Sequence, residues 1–260
     1  MVEVTFLGTG GAFSAGHRSQ LGLLIEHDGF RMLVETGPTI MEQLARVDLA
    51  ASEIERVFIS HSHGDHSLGF PMLALNRLGA SSALHVYAGL STVATLKILC
   101  ALVYPSISER RLGLQWHELP EGEPGETEPA PGVKLRTAVV PHPPDTPTLA
   151  ARWALGARSV TLATDTLPCA ATVELARGSD LLIHEASFSA VLQPDADPAA
   201  HFHSTAQQAG EVARQAGCPR LALVHVGPEI GERPDVLVEE ARAGSDLDVI
   251  VPEDGERTRV

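Results

Sequence analysis

The stretch FISHSHGDHSLG, residues 58–69, places three histidines and one aspartate within six positions. It lies between a predicted strand and a predicted helix. The first two histidines are two residues apart and can point the same way from an extended backbone, while Gly64 permits a turn that brings the other two side chains in from another direction. Imidazoles and a carboxylate arranged in this way can hold two cations, and they suit zinc, manganese or iron. The four residues are His61, His63, Asp65 and His66.

Composition indicates an ordinary globular protein of 260 residues, 44% hydrophobic and 20% charged. The formal net charge of −14 disfavours a general nucleic-acid binder, because an acidic surface repels phosphate backbones at long range. The three cysteines form no CxxC pair, which argues against a disulfide framework and a thiolate zinc site. The N-terminus has no basic start followed by a long apolar run, and no stretch approaches about 18 consecutive apolar residues. We therefore expect no secretory signal, no membrane span and a cytoplasmic location.

Strand-like and helix-like segments alternate through both halves of the chain, which predicts a layered α/β sandwich. The acidic, Pro- and Gly-rich stretch PEGEPGETEPAPG, residues 120–132, is predicted to be a solvated loop rather than a domain linker. Because the β pattern resumes at once after it, residues 1–260 are expected to form one domain. The predicted strands are Val2–Leu7, Leu21–His27, Arg31–Glu35, Arg56–Ser60, Leu84–Tyr87, Leu112–Leu119, Val133–Val140, Leu149–Leu155, Val160–Ala163, Leu181–Ala186 and 220–226. One helix is predicted just after Pro38, and four others are predicted over residues 67–79, 90–103, 204–216 and 234–243.

The histidine cluster resembles the HxHxDH signature of the metallo-β-lactamase superfamily. With 12 histidines in the chain, two close together would be unremarkable, but four ligand-type residues in this order are not expected by chance. LGTGGAF near the N-terminus resembles the opening strand and glycine turn of the same family, and the likeness extends over almost the whole chain. The resemblance implies a four-layer αβ/βα sandwich that binds two divalent metal ions, with zinc favoured and manganese or iron as alternatives.

The resemblance also implies three more metal ligands downstream, each at the end of a strand. Each candidate has a simpler explanation by itself, as a loop histidine, a helix cap or a buried core histidine, so the assignment depends on their joint order. The candidates are His142 in VVPHPP, Asp165 in LATDT and His225 in LALVHVG. Carried over to this chain, one metal would be held by His61, His63 and His142 and the other by Asp65, His66 and His225, with Asp165 bridging the two.

Branches of this family differ at the ligand positions. Flavodiiron oxygen reductases resemble HxExDH, whereas position 63 is histidine here. The most familiar class of zinc β-lactamases carries cysteine where this chain has Asp165, and those enzymes carry signal peptides. Both differences favour an intracellular hydrolase.

Two further motifs resemble the ribonuclease Z-like phosphodiesterases: LLIHEAS, residues 181–187, and His203–Ser204–Thr205. In that group the glutamate of the first motif orients the histidine of the second, which assists at the scissile phosphate, so Glu185 and His203 are the candidates here, with Asp65 as a further catalytic residue. The run from Ser204 to Gln207 has capping-box spacing, which would place His203 at a helix N-terminus that favours anions. A plain helix cap with a solvent-facing histidine is the alternative. Ser204 and Arg18 are the candidates for contacts to the substrate phosphate.

One departure from ribonuclease Z concerns the long arm that grips tRNA in that enzyme, between the third histidine ligand and the bridging aspartate. Only 22 residues separate His142 from Asp165 in this chain. Together with the net charge of −14, this spacing argues against extended tRNA binding.

The expected function is hydrolysis of a small phosphodiester, a cyclic nucleotide or a short RNA by a hydroxide that the two metal ions share. The alternatives are a ribonuclease Z-type tRNA 3′-processing endonuclease, and an acyl hydrolase that uses the same metals on a thioester, lactone or β-lactam. A regulatory protein with a dormant metal site is a third. The expected partner is a small phosphodiester or nucleotide-like substrate and not a membrane, and the sequence is compatible with a homodimer.

Overall fold

Two seven-stranded β-sheets form the centre of the protein in the computed structural model, which describes residues 1–13 and 18–260. The first sheet contains β1 (Val2–Gly8), β2 (Gly22–His27), β3 (Phe30–Val34), β4 (Arg56–Ile59), β5 (Leu84–Gly89), β6 (Leu114–Leu119) and β14 (Glu256–Arg259), in the order β14-β1-β2-β3-β4-β5-β6. The second sheet contains β7 (Gly125–Ala130), β8 (Val133–Val140), β9 (Thr148–Leu155), β10 (Arg158–Ala163), β11 (Leu181–Glu185), β12 (Arg220–Val224) and β13 (Asp248–Ile250), in the order β13-β12-β11-β10-β9-β8-β7.

Helices cover the outer faces of both sheets, which confirms the four-layer αβ/βα sandwich. The helices are α1 (Ile40–Arg46), α2 (Gly64–Ser67), α3 (Phe70–Asn76), α4 (Leu90–Val103), α5 (Glu109–Leu112), α6 (Ala170–Ala176), α7 (Ala206–Ala216), α8 (Pro228–Gly231) and α9 (Pro234–Arg242). Helices α1, α3 and α4 pack on the first sheet through one apolar cluster, and α7 and α9 pack on the second through another. Within the described ranges, no helix has the length and apolar character needed to cross a membrane.

Large apolar side chains fill the space between the two sheets. Phe58 of β4 and Trp153 of β9 come from opposite sheets and meet edge to face, with ring centroids 5.4 Å apart. Nε1 of Trp153 lies 3.1 Å from the sulfur of Met32 in β3. Full burial of a side chain such as Phe58 stabilises the fold by about 1.5–3 kcal/mol. This packing fixes the two sheets relative to each other.

Several strands of both sheets end at one edge of the molecule. β10, β11 and β12 are parallel, and β8 runs the same way as β10 because both pair antiparallel with β9. The backbone N–H of Leu149, at the start of β9, donates a 3.1 Å hydrogen bond to the carbonyl of Ser60, the residue that follows β4. The carboxyl ends of β4, β8, β10 and β12 therefore meet, and all the predicted metal ligands follow one of these ends.

Most predicted elements are present, and α4 and β8 have the predicted bounds. The prediction of a loop over residues 120–132 was wrong in part, because this stretch contains β7, a strand at the edge of the second sheet that pairs with β8. An edge strand tolerates Pro129, because the missing N–H of proline removes no hydrogen bond from the centre of the sheet. The exposed acidic side chains of β7 are also uncommon in strands, so its composition did not indicate one. Leu112 belongs to α5 and not to β6, and α6, α8, β13 and β14 were not predicted.

Candidate active site

The histidine-rich loop begins where β4 ends and is held tightly by the segment that follows β3. Gly64 is the first residue of α2, so Asp65 and His66 lie within this short helix and not ahead of the helix as predicted. The backbone N–H of Thr36 donates a 2.8 Å hydrogen bond to the carbonyl of His66. Gly37 makes this approach possible, because a Cβ at that position would overlap the backbone oxygen of Asp65.

The three predicted downstream ligands all lie just beyond a strand. His142 follows β8, Asp165 follows β10 and His225 directly follows β12. Asp165 and His225 have φ angles of 46° and 54°, in the left-handed region, which costs about 1–2 kcal/mol for a residue other than glycine. Strain of this kind persists where the surrounding structure enforces it, and it is concentrated at functional sites.

The seven predicted ligands converge into two clusters that share Asp165, the grouping that the family resemblance led us to expect. In each cluster the candidate ligand atoms lie within 4.8 Å of one another. The clusters are His61, His63, His142 and Asp165, and Asp65, His66, Asp165 and His225. The distances from Asp165 Oδ2 are 3.8 Å to His61 Nε2 and 3.9 Å to His142 Nε2, and those from Oδ1 are 3.3 Å to His66 Nε2 and 3.4 Å to His225 Nε2.

The donor atoms of these clusters fit two divalent cations. Nε2 of His61 is buried and has no hydrogen-bond partner among the described residues, although buried polar atoms are normally paired. Nε2 of His142 and Nδ1 of His63 lie 3.1 Å apart, so both nitrogens point into the same small space. Imidazole nitrogens with carboxylate oxygens suit zinc, manganese or iron.

Burial and neighbouring charges keep four of the seven predicted ligands in forms that bind cations. Burial lowers the pKa of His61 well below its usual value and lowers the pKa of His142 to about 4, so both imidazoles are neutral at pH 7. Burial alone would raise the pKa of Asp165, but the neighbouring histidines outweigh it and hold that pKa well below its usual value. The same opposition lowers the pKa of Asp65. Both carboxylates are therefore ionised, as ligation requires. His66 differs: burial alone would lower its pKa, but three neighbouring carboxylates outweigh burial and raise that pKa well above its usual value, so this ring must lose a proton to bind a cation.

Glu35, which was not among the residues predicted from the sequence, is a buried carboxylate beside the two clusters. It accepts a hydrogen bond from the backbone N–H of Ser60, and its Oε2 lies 3.4 Å from Nδ1 of His66. The hydroxyl of Ser60 lies 2.9 Å from Nδ1 of His61. Partners on the second ring nitrogen orient histidines for ligation. The only signal in the sequence was an acidic residue at the end of the apolar run RMLVE.

Glu185 and His203 form a hydrogen-bonded pair next to the second cluster. Nδ1 of His203 lies 2.9 Å from Oε1 of Glu185, whose carboxylate is fully buried. Burial alone would lower the pKa of His203, but the hydrogen bond and charge of Glu185 outweigh it and raise that pKa to about 9. The ring of His203 is stacked on that of His225, with centroids 5.4 Å apart. The pair therefore adjoins the ligand set, as the two motifs indicated.

The structure gives Ser204 and Arg18 other contacts than those predicted. Ser204 is fully buried, and its hydroxyl donates a 2.6 Å hydrogen bond to the carbonyl of Thr166, so it is not exposed to a substrate. The capping box is formed one residue later, by Thr205 with Gln208, because Thr205 has the extended backbone of an N-cap.

Arg18 donates through Nη1 to Thr9 Oγ1 and to the carbonyl of Pro252, both at 2.6 Å, and belongs to neither metal cluster.

Residues 143–164 contain a short connection and the hairpin of β9 and β10. All of them are described, and the hairpin turn between the strands covers only residues 156–157. No additional arm is present between His142 and Asp165.

Comparisons with known proteins agree with this geometry. Residues 30–226 match the family model described as the beta-lactamase superfamily domain. The chain is 29% identical to Ribonuclease Z of Haloarcula marismortui, with 100% of this chain and 97% of the relative covered, in an alignment of 307 positions against 260 residues here. It is 28% identical to Ribonuclease Z of a Mycobacterium species over 262 positions, covering 94% of this chain and 91% of the relative. The crystal structure of the short form of human tRNase Z has the same fold, with a TM-score of 0.81 and 23% identity over 99% of this chain and 98% of the human chain.

Proposed function

Because this chain belongs to the beta-lactamase superfamily domain family and is a metal-dependent hydrolase, we propose that it is a phosphodiesterase of the ribonuclease Z type that cleaves RNA at the 3′ end of tRNA. The observation that carries the proposal is the Glu185–His203 pair, 2.9 Å apart, beside the two clusters. A positively charged histidine beside the two clusters suits the negative charge of a phosphodiester and of its leaving oxygen. The relatives named Ribonuclease Z, which cover 100% and 94% of this chain, support the same function.

The residues of the site have two roles, binding the cations and stabilising or protonating the leaving group. When bound, two divalent cations would supply a water of lowered pKa and positive charge for the phosphoryl oxygens. His61, His63 and His142 would hold one cation and Asp65, His66 and His225 the other, with Asp165 between them. His203 has Nδ1 engaged by Glu185, which leaves Nε2 to stabilise or protonate the leaving oxygen of the phosphodiester.

Hydrolysis of a small phosphodiester or cyclic nucleotide, the function expected first from the sequence, is the second candidate. The observation in its favour is the plain β9–β10 hairpin, which leaves no arm for gripping tRNA between His142 and Asp165. The mycobacterial relative weighs against this second candidate. Its alignment with this chain has only 262 positions, which leaves little room for a long inserted arm, and it is nonetheless named Ribonuclease Z. Ribonuclease Z-type cleavage is therefore the better supported of the two functions.

The test is cleavage of a precursor tRNA by the zinc-loaded protein, compared with the mature tRNA, a 2′,3′-cyclic nucleotide, bis(p-nitrophenyl) phosphate, a thioester and a β-lactam. The matched control is the His203→Ala variant, with its metal content measured. Cleavage at one site next to the tRNA 3′ end, lost in the control, is the expected result. Turnover of the small diesters without precursor cleavage would support the second candidate, and turnover of acyl substrates alone would overturn both.

A further inference from the structure

Ser187 lies at the junction between a metal-cluster histidine and the glutamate–histidine pair. Its hydroxyl oxygen is 2.7 Å from Oε2 of Glu185 and 2.9 Å from Nδ1 of His225, and it is 3.3 Å from Nδ1 of His203. Ser187 is the last residue of the LLIHEAS motif, although no role was predicted for it, and its side chain contacts His225 through Nδ1 and not through Nε2. Its three ring and carboxylate neighbours belong to different parts of the site.

The hydrogen bonds of this junction can be assigned by counting donors. A serine hydroxyl has one proton to donate and two lone pairs to accept with. The shortest contact is to the carboxylate of Glu185, the strongest acceptor present, so Ser187 donates there. His203 uses its Nδ1–H on the other carboxylate oxygen at 2.9 Å. Ser187 is thus left to accept, and His225 must carry its proton on Nδ1 to donate to it.

We propose that Ser187 is a positioning residue that fixes the tautomer of His225 and ties this ligand to the Glu185–His203 pair. With the proton on Nδ1, the lone pair of His225 is on Nε2, which lies 3.2 Å from Asp65 Oδ2 and 3.4 Å from Asp165 Oδ1. Only this tautomer can ligate from Nε2. The same hydroxyl completes the four hydrogen bonds of the buried Glu185 carboxylate, whose other donors are Thr166 N, Ser187 N and His203 Nδ1.

The inference rests on the proposed metal-ligand role of His225, and metal binding tests it without a substrate. Metal-free protein is titrated with Zn²⁺ in competition with a chromogenic chelator, which resolves two binding equivalents. Ser187→Ala should weaken one equivalent by about 10–100-fold and the other much less, because only the second of the two clusters contains His225. Ser187→Thr keeps the hydroxyl and should retain both affinities to within about threefold.

Ser159→Ala is the matched control, since Ser159 is a buried serine on β10 whose hydroxyl bonds to Arg152 and Asp180, away from the site. It should lower the unfolding temperature without changing either zinc affinity. If Ser187→Ala does not fold, Ser187→Cys replaces it in the experiment. The thiol is a weaker hydrogen-bond donor and acceptor than the hydroxyl, so one zinc affinity should again be weakened. Two unchanged affinities in the folded Ala or Cys variant would overturn the proposal, as would equal weakening in Ser159→Ala. Wild-type protein that binds two Zn²⁺ but cleaves no RNA would count against the proposed function alone.

Discussion

Oδ1 of Asp165 lies 3.3 Å from Nε2 of His66, while the other oxygen of the same carboxylate lies 3.8 Å from His61 across the first cluster. One side chain thus belongs to both groups of ligands. Its backbone is in the left-handed region, and its carboxylate is buried and ionised. The two clusters are therefore parts of one centre and not independent sites.

Replacing this shared carboxylate should empty both cation sites. We expect Asp165→Ala to bind less than one equivalent of zinc and to lose activity. Each cluster loses an oxygen ligand, and His66 loses a neighbouring negative charge. Metal content after gel filtration, measured by mass spectrometry, checks this. Asp28→Ala, at an exposed carboxylate, is the control that should keep both metals. A variant at position 165 that retained two metals and full turnover would show that the bridging assignment is wrong.

The glutamate–histidine pair should matter for turnover and not for metal retention. His203→Ala is expected to lower kcat by about a hundredfold to ten-thousandfold, the range found for a positioned proton donor, with two metals still bound. Glu185→Gln keeps the shape of the side chain but removes the charge that holds His203, so its kcat should also fall. Steady-state kinetics with a phosphodiester, alongside metal analysis, separates the two effects. Loss of metal in His203→Ala would instead make this histidine a ligand.

Glu35 should strengthen metal binding from behind the ligands. Its carboxylate lies 3.4 Å from the non-ligating nitrogen of His66 and also accepts from the backbone of the histidine-rich loop. We expect Glu35→Gln to weaken zinc binding by about 10–100-fold, the usual cost of losing such a partner. Chelator competition measures the change. Glu26→Gln, in the neighbouring strand and paired with Arg31, should leave the affinity unchanged. If both variants bound zinc as tightly as the wild type, Glu35 would have only a structural role.

The convergence of the candidate ligands could be predicted from the sequence because each is a ligand-type residue at a strand end or in the loop and short helix that follow β4. His142, Asp165 and His225 follow three strands that run in the same direction, and parallel strand ends meet at one edge of a sheet. The family pattern supplied their order. The sheet topology explains why they converge, because a shared edge brings together residues that are far apart in the chain.

Glu35 and Ser187 escaped prediction because their roles depend on contacts over long sequence distances. Ser187 is 38 residues from His225, and no local pattern marks a single serine as the partner of a distant ring. The capping box was predicted one residue too early, at Ser204, for a different reason. Ser204 and Thr205 are adjacent hydroxyl residues, and only the backbone angles decide which of them caps the helix. Strand β7 was missed because an edge strand needs few β-branched or apolar residues.

Gly37 provides a test of how the histidine-rich loop is held in place. A side chain there would overlap the backbone oxygen of Asp65, and backbone atoms cannot move aside as a flexible side chain can. We expect Gly37→Ala to destabilise the protein by about 1–3 kcal/mol, as overpacking does, and to weaken zinc binding because the loop that carries Asp65 and His66 must shift. Thermal unfolding should show a midpoint lower by several degrees. Gly122→Ala is the matched control, because a Cβ there meets no atom within 4 Å, and it should change neither property. Equal behaviour of the two variants would mean that the segment after β3 does not hold the loop in place.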